Sequence, residues 1–245
     1  MLEKYFDRLS ILGTNKSLIL YADSCGGQNK NNFVIKYLLM ATMTGDLEPV
    51  DYNFFVKGHT KNACDRGFGH TRKKFLKTDC WTFEHIVNVV QTSSSSNDCV
   101  SLEDVDNPFN DYKSIVDELF SNLQGLQKFQ MFRMRKSEPG IVECRRHPSE
   151  NPQRFDLRRT YDGVVVSSDR AKMLWLQKKT LPLPRVNPEK TRDLYTKIRP
   201  YVPQEFQNCQ YYEMPSESTT AAAKRIKQAR VEQQKRQKKR KQNDV

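Results

Sequence analysis

The chain has 245 residues, of which 37% are hydrophobic and 29% are charged, and its formal net charge is +12 at pH 7. This length allows one large domain, or one domain with a tail. The positive charge favours an acidic partner, most simply a nucleic acid, over an anionic membrane surface. No apolar stretch approaches the roughly 18 residues of a membrane span. The N-terminus also lacks the apolar run of a signal peptide, so we expect an intracellular protein.

The six cysteines form no C-x-x-C pair. Cysteines paired at short spacing are typical of zinc ribbons and zinc fingers, so their absence argues against a structural zinc site. In an intracellular protein we expect free thiols that are mostly buried.

Hydrophobic periodicity predicts several elements in the first third of the chain. They are a short amphipathic helix at 2–12, a buried strand at 17–22, a second strand at 51–57 and a basic helix at 63–76. Between the strands, a polar loop leads into a further helix, which Asn31 or Asn32 could cap. In the basic helix, Phe68 and Phe75 are expected to face the core.

The rest of the chain mixes helices with a hairpin. We expect helices at 82–90, 112–123 and 189–198, a hairpin of strands 129–135 and 141–145, and a weak strand at 164–166. Thr82 would cap the first of these helices, and Pro188 would start the last. The turn Glu138-Pro139-Gly140 would close the hairpin.

Two acidic residues follow the first two predicted strands. Asp23 comes directly after the first strand, and Asp65 lies at the start of the helix after the second. Phosphodiester cleavage by two metals needs carboxylates that converge on a hard cation such as Mg²⁺ or Mn²⁺. The pattern therefore indicates a nuclease or transposase type of site. An aspartate after a strand is also an ordinary helix cap or turn residue, and that alternative stays open.

Polar residues in the two loops admit two interpretations each. His59 could contact a phosphate or orient a carboxylate, or it could fix the turn before Asp65 by bonding a backbone carbonyl. Gln28 and Asn29 could contact the scissile strand, or they could only brace their own loop.

The sequences around the two acids strengthen the catalytic interpretation. YADSCGGQNKNN (21–32) and FFVKGHTKNACDRGFG (54–69) resemble a family of eukaryotic domains that look derived from DDE transposases. The shared pattern is an acid at a strand end, Gly-Gln-Asn-Lys-Asn, Gly-His-Thr, an acid six positions past the histidine, and Phe-Gly. The resemblance is specific over residues 17–76. It implies an RNase H-like fold and a polynucleotidyl-transferase ancestry, with Asp23 and Asp65 holding the metal and His59 in support.

One feature departs from that family. A site of this kind needs another acid, on a first strand well upstream of the Asp23 position, yet only 22 residues precede Asp23. We therefore expect an α/β protein with an RNase H-like core truncated at its N-terminus, added helices and a hairpin, and a disordered basic C-terminal tail. The expected division is 1–76 for the partial core, 77–215 for its continuation and 216–245 for the tail.

The last segment is strongly basic and lacks aromatic residues after about residue 216. This composition predicts disorder, or a helix that forms on a partner. Such runs serve as nuclear-import signals or nucleic-acid arms, and the plainer alternative is a solubilising tail. A second basic region, 133–159, has phenylalanines nearby and suits either a nucleic-acid face or an ordinary hairpin. The predicted nucleic-acid contacts are Gln28, Asn29, Lys30, Lys224, Arg225, Lys235, Arg236, Lys238, Lys239, Arg240 and Lys241.

Together these features predict a nuclear, transposase-derived protein that binds nucleic acid, DNA rather than RNA, and is catalytically inactive. If an active site survives, Asp23 and Asp65 would hold Mg²⁺ or Mn²⁺. Two alternatives remain open. One is a metal-dependent nuclease or transposase, and the other is a non-catalytic scaffold for protein interactions.

Overall fold

A computed structural model describes residues 17–45, 47–56, 63–97, 99, 109–182 and 186–243, with side chains through Gln233. The predicted helix at 2–12 lies outside these residues. The chain divides into two units, each built from two segments. Unit 1 is Met1–Lys61 with Asn107–Leu181, and unit 2 is Asn62–Asp106 with Pro182–Val245. The division predicted at residues 76 and 215 concerns sequence regions and stays a prediction.

Unit 1 is an α/β unit built on a five-stranded mixed sheet. Its strands, in the order in which they pair, are β1 (Leu18–Ala22), β2 (Val50–Phe54), β3 (Met131–Met134), β4 (Ile141–Arg145) and β5 (Gln153–Asp156). β1 and β2 are parallel, and the other neighbours are antiparallel. A short two-stranded sheet pairs β6 (Thr160–Tyr161) with β7 (Val164–Val165). The mixed α/β class is therefore confirmed.

The crossover between the parallel strands is helix α1 (Asn32–Thr44). Parallel neighbours need such a crossover because a tight hairpin reverses the direction of the chain and would make the two strands antiparallel. The Asn31 side chain caps α1 by accepting from Val34 N at 3.0 Å, which confirms one of the two predicted caps. Every residue from Ile35 to Met43 is buried, so α1 is the central helix of the core.

The core lies on one face of the sheet. Alternate β2 residues Val50, Tyr52 and Phe54 are buried, while Asp51 and Asn53 point to the other face. Helices α4 (Tyr112–Leu119) and α5 (Ser168–Leu176) pack with α1 on the buried side. Period-2 burial of this kind is expected for a sheet that is covered on one side. The hairpin of β3 and β4 is confirmed, whereas β5 and α5 were not predicted.

Unit 2 is helical in the part of the chain that the structure describes. It contains α2 (Ala63–Phe75), α3 (Phe83–Thr92), α6 (Pro188–Asp193) with a π-helical turn at Leu194–Ile198, and α7 (Glu217–Asn243). Thr82 caps α3 and Pro188 opens α6, as predicted. The two segments of unit 2 meet where the Tyr212 hydroxyl donates to the Trp81 carbonyl at 2.6 Å.

One prediction about unit 2 is wrong. Phe68 and Phe75 do not face a core, because α2 has no buried residue and these rings are 74% and 49% exposed. The tail forms helix α7, which packs against α6, and the predicted choice between disorder and a helix that forms on a partner stays open. Ala223 is fully buried there, and Arg230 pairs with Glu189, so small and charged residues replace the missing apolar face.

Candidate functional site

Asp23 lies immediately after β1, at the end of the sheet where its parallel neighbour β2 also ends. Its side chain is exposed. The Asp23 Oδ1 atom accepts a hydrogen bond from Asn29 Nδ2 and a longer one, 3.5 Å, from Cys25 N. The carboxylate is therefore held by its own loop and still reaches solvent.

One backbone carbonyl, that of Cys25, accepts three hydrogen bonds within the loop after Asp23. The Cys25 oxygen accepts from the backbone N–H groups of Gln28, Asn29 and Lys30 at 3.2, 2.8 and 2.9 Å. This turn presents the Gln28 side chain to solvent, whereas the Asn29 side chain binds Asp23. Asn29 thus braces its own loop, which is one of the two roles that the sequence suggested for it.

Lys30 is 2% exposed, which is unusual for a lysine. Its Nζ donates to the Gln127 carbonyl at 3.3 Å and lies 5.1 Å from the centre of the Phe54 ring. Gln127 returns a bond from Nε2 to the Lys30 carbonyl at 2.9 Å. Burial lowers the pKa of Lys30. The prediction that Lys30 contacts nucleic acid does not fit this position, because the ammonium is used to tie the loop to residues 126–128.

Tyr52, on the neighbouring strand β2, also holds this loop in place. Its hydroxyl donates to the Asn29 carbonyl at 3.0 Å, and the residue is 4% exposed. Burial, and then the negative charge of Asp23, raise the pKa of Tyr52 to about 12. The Asp23 carboxylate is therefore close enough to Tyr52 for its negative charge to disfavour ionisation of the phenol.

Asp65 belongs to the other unit. It lies exposed in the first turn of α2, as predicted, where a carboxylate interacts favourably with the helix dipole. Asp23 and Asp65 are thus placed on separate units, and neither unit alone contains the acid pair. His59 lies outside the described residues.

A divalent metal needs several oxygen ligands, and Mg²⁺ demands near-octahedral geometry. Within the described ranges, no three His, Cys, Asp or Glu side chains lie together in a way that could hold a metal ion. Asp23 offers one carboxylate, already engaged by Asn29. The described residues therefore do not by themselves fit Mg²⁺ or Mn²⁺, and the predicted metal role of Asp23 and Asp65 stays a prediction.

Five of the seven arginines in the second basic region, 133–159, form ion pairs within unit 1. Arg133 pairs with Asp51 at 2.8 Å, and Arg135 pairs with Glu143 at 2.8 Å. The remaining pairs are Arg146 with Glu150, Arg154 with Glu138, and Arg158 with Asp156. Acids close in space thus offset most of this charge, which agrees with the interpretation as an ordinary hairpin.

The cations of unit 2 are less neutralised. Residues 63–77 hold five cations and one acid, and residues 224–241 hold ten cations and one acid. Arg66, Lys73 and Lys77 are exposed and form no ion pair with another described residue. Of the predicted tail contacts, Lys224 and Arg225 are exposed. The side chains of Lys235, Arg236, Lys238, Lys239, Arg240 and Lys241 lie outside the described ones.

The cations of α2 were not among the predicted nucleic-acid contacts. Their signal was present in the sequence as the run Arg72-Lys73-Lys74 with Lys77. A basic helix with two phenylalanines expected in the core is an ordinary amphipathic helix, whose outward cations are not a specific signal for nucleic acid.

No helix among the described residues is long and apolar enough to cross a membrane. Comparison with curated proteins gave no significant match, and neither did comparison with solved structures. A protein-family comparison matches residues 4–150, which include both acids, the Cys25–Asn31 loop and the sheet through β4. This match covers more than half of the chain, and the protein belongs to the family described as "Domain of unknown function (DUF7869)".

Proposed function

We propose that this protein binds nucleic acid through the positively charged helices of unit 2, and that it does so without cleaving it. The observation that carries the proposal is the contrast between the two units. Five of the seven arginines at 133–159 in unit 1 are paired with acids, whereas Arg66, Lys73 and Lys77, in and directly after α2, are exposed without an ionic partner among the described residues. Unpaired cations on one surface are the electrostatic footprint of a polyanion site.

The tail adds to the same footprint. Helix α7 continues the charge of unit 2, and its first half is held to α6 by the two hydrogen bonds from Arg230 to Glu189, of 3.1 and 3.3 Å. A lysine- and arginine-rich helix of this kind also suits a nuclear-import signal. DNA is the proposed partner and the nucleus the proposed location.

The ancestry that we propose is a DDE transposase with an RNase H-like core. Two observations support it. The β1–α1–β2 unit is parallel and has Asp23 at the end of its first strand, and Asp65 occupies the first turn of the helix that follows. The resemblance of residues 17–76 to transposase-derived domains points the same way. The proposal assigns no catalytic role because Asp23 is the one acid of the pair in unit 1 and its carboxylate is already bound by Asn29.

Salt dependence of binding tests the function. Fluorescence anisotropy of a labelled oligonucleotide should show binding by the full chain at 50 mM salt. Neutralising several phosphates releases counterions, so affinity should fall on the order of 10³-fold by 200 mM. The double variant Lys73→Gln/Lys77→Gln should bind more weakly and with a shallower salt slope. The matched control is Arg133→Gln, because Arg133 is already paired with Asp51.

Two results would contradict the proposal. The first is the absence of binding to DNA or RNA at 50 mM salt. The second concerns catalysis: a Mg²⁺- or Mn²⁺-dependent cleavage activity that disappears in Asp23→Asn would show that the protein is a nuclease.

A further inference from the structure

The outer face of β1 carries apolar side chains that the described residues leave open to solvent. Ile19 and Tyr21 point away from the core and are 59% and 66% exposed. The Tyr21 ring stacks on that of Phe55, directly after β2, with centroids 5.8 Å apart. These three residues form an outer apolar strip. It runs along an edge strand, because β1 pairs with β2 alone among the described strands.

The rest of the outer face is charged and self-neutralised. Arg133 pairs with Asp51 across β2 and β3, and Arg135 pairs with Glu143 across β3 and β4. Ion pairs of this kind are compatible with water, whereas an apolar strip on a free edge favours association. A helix with its side chains is about 10 Å wide and neighbouring strands are about 4.8 Å apart, so one helix over β1 would cover the strip.

The segment directly before β1 has the sequence of such a helix. Its apolar residues recur at helical spacing and fall within about 120° of one another around the helix axis. They are Leu2, Tyr5, Phe6, Leu9 and Leu12, whereas Glu3, Lys4, Asp7, Arg8 and Ile11 lie on the other side. A helix of this length is only marginally stable alone in water, so its apolar stripe needs a surface to pack on.

The length of the segment and its connection fit a position over β1. A helix over 2–12 would be about 16 Å long, and β1, Leu18–Ala22, is also about 16 Å long. Gly13 is the residue type that commonly follows a helix. The connection 13–17 can span roughly 16 Å, which exceeds the roughly 10 Å between packed layers. The family match begins at residue 4, so it includes most of this segment together with the sheet.

We propose that residues 2–12 form an amphipathic helix that packs its apolar stripe on the outer apolar strip, antiparallel to β1. The sheet next to β1 is then covered on both faces, by α1 on one and by this helix on the other. The inference does not depend on nucleic-acid binding. The other possible occupants of the strip are a second copy of the chain and a different protein.

Hydrogen exchange of the full-length chain, read by mass spectrometry of its peptides, tests the packing. Amides of residues 2–12 should exchange about tenfold or more slowly in the native chain than in Ile19→Thr/Tyr21→Thr, which removes the strip and keeps good strand formers. Peptides of α1 should keep their protection in this variant. Val164→Thr/Val165→Thr is the matched control, because these side chains are 70% and 42% exposed elsewhere in unit 1, and residues 2–12 should stay protected.

A second pair of variants changes the segment and leaves the sheet untouched. Leu9→Asp places a charge in the apolar stripe and should abolish the protection of residues 2–12. Ile11→Asp makes the same change on the opposite side of the helix and should preserve it. This pair decides the matter even if Ile19→Thr/Tyr21→Thr perturbs the sheet itself.

Four results would overturn the proposal. Fast exchange of residues 2–12 in the purified native chain would leave the strip free for a different protein. Protection that falls when the chain is diluted would place a second copy there. Protection that survives Ile19→Thr/Tyr21→Thr would mean that the segment packs elsewhere, and equal effects of Leu9→Asp and Ile11→Asp would show that the stripe is not the packed side.

Discussion

The hydroxyl of Tyr52 donates a hydrogen bond of 3.0 Å to the backbone carbonyl of Asn29, 23 positions earlier in the chain. The bond joins the middle of β2 to the loop that follows β1. Asn29 in turn holds the Asp23 carboxylate through its side chain. The orientation of Asp23 therefore depends on a buried phenol on the neighbouring strand.

Removing that hydroxyl should destabilise the protein. In Tyr52→Phe the Asn29 carbonyl loses its side-chain donor at a partly buried position, which costs about 1–3 kcal/mol. Urea denaturation followed by circular dichroism should show a lower midpoint with an unchanged slope. Tyr21→Phe is the matched control, because Tyr21 is 66% exposed, and its midpoint should stay within error of the native value. Equal stability of the native chain and Tyr52→Phe would contradict the bracing role.

Stability at alkaline pH should carry the signature of Tyr52. Its pKa is raised to about 12, first by burial and then by the Asp23 charge, whereas an unfolded tyrosine has a pKa near 10. The folded state thus holds this proton more tightly. The resulting stabilisation is complete below pH 10 and is lost as the pH rises through about 12. The stability difference between the native chain and Tyr52→Phe should therefore shrink between about pH 10 and pH 12.

A spectroscopic titration provides the direct measurement. Absorbance at 295 nm should show one tyrosinate forming near pH 12 that is missing in Tyr52→Phe. Cys144, whose pKa burial also raises to about 12, is present in both proteins and cancels in the comparison. A Tyr52 that ionises near pH 10 would contradict the expected burial and charge effects.

Lys36 forms the second buried contact that can be tested. Its side chain is 3% exposed and its Nζ lies 2.8 Å from Asp117 Oδ1, which links α1 to α4. In Asp117→Asn the buried ammonium loses its counter-charge, and we expect a loss of about 2 kcal/mol. Lys113 binds the same carboxylate from the surface, at 75% exposure, so Lys113→Met should cost less than about 1 kcal/mol. Similar losses in both variants would show that burial of Lys36 is unimportant.

Acid pH should expose the same contact. The hydrogen bonds from Lys113 and then from Lys36 lower the pKa of Asp117. A lowered carboxyl pKa contributes stability that is present above the ordinary value near 3.9 and is lost as the pH falls through the folded value. Between pH 5 and pH 3, the native chain should therefore lose more stability than Asp117→Asn, measured by urea denaturation at each pH.

Gly140 closes the hairpin of β3 and β4 with φ of +75°, a conformation that side chains rarely adopt. A Cβ atom at this position would also collide with Arg158 Cγ. Gly140→Ala should thus cost about 1–3 kcal/mol in the free energy of unfolding. Gly27→Ala is the control, because no atom lies within 4 Å of the added carbon, and its effect should stay within about 0.5 kcal/mol. An unaffected Gly140→Ala would mean that the turn relaxes without cost.

The sequence was most informative where periodicity and turn chemistry agreed. β1, α1, the hairpin and the caps by Asn31 and Thr82 were predictable because each has a local signal. β5 was missed because its residues alternate between exposed and half-buried, which leaves no apolar pattern. Helix α5 was missed for a similar reason, since Ala171 is its one fully buried position.

The site was harder to foresee than the fold. Asp23 could be singled out because it follows a strand, but its supports are distant in sequence. Tyr52 lies 23 positions from its partner Asn29 and Gln127 lies 97 positions from its partner Lys30, and no local pattern marks them as partners of the loop. The burial of Lys30 follows from those same contacts. From its charge alone, a lysine is expected at the surface.

The length of α7 sets how far unit 2 can extend along a ligand. At 1.5 Å per residue, the helical backbone from Arg230, where Glu189 fixes it, to Asn243 covers about 20 Å. Consecutive phosphates of one DNA strand are about 3.4 Å apart, so that distance corresponds to roughly six nucleotides. The shortest oligonucleotide that gives full affinity should therefore be longer than α2 alone requires, and truncation of the chain after Arg230 should shorten that minimum site by about six nucleotides.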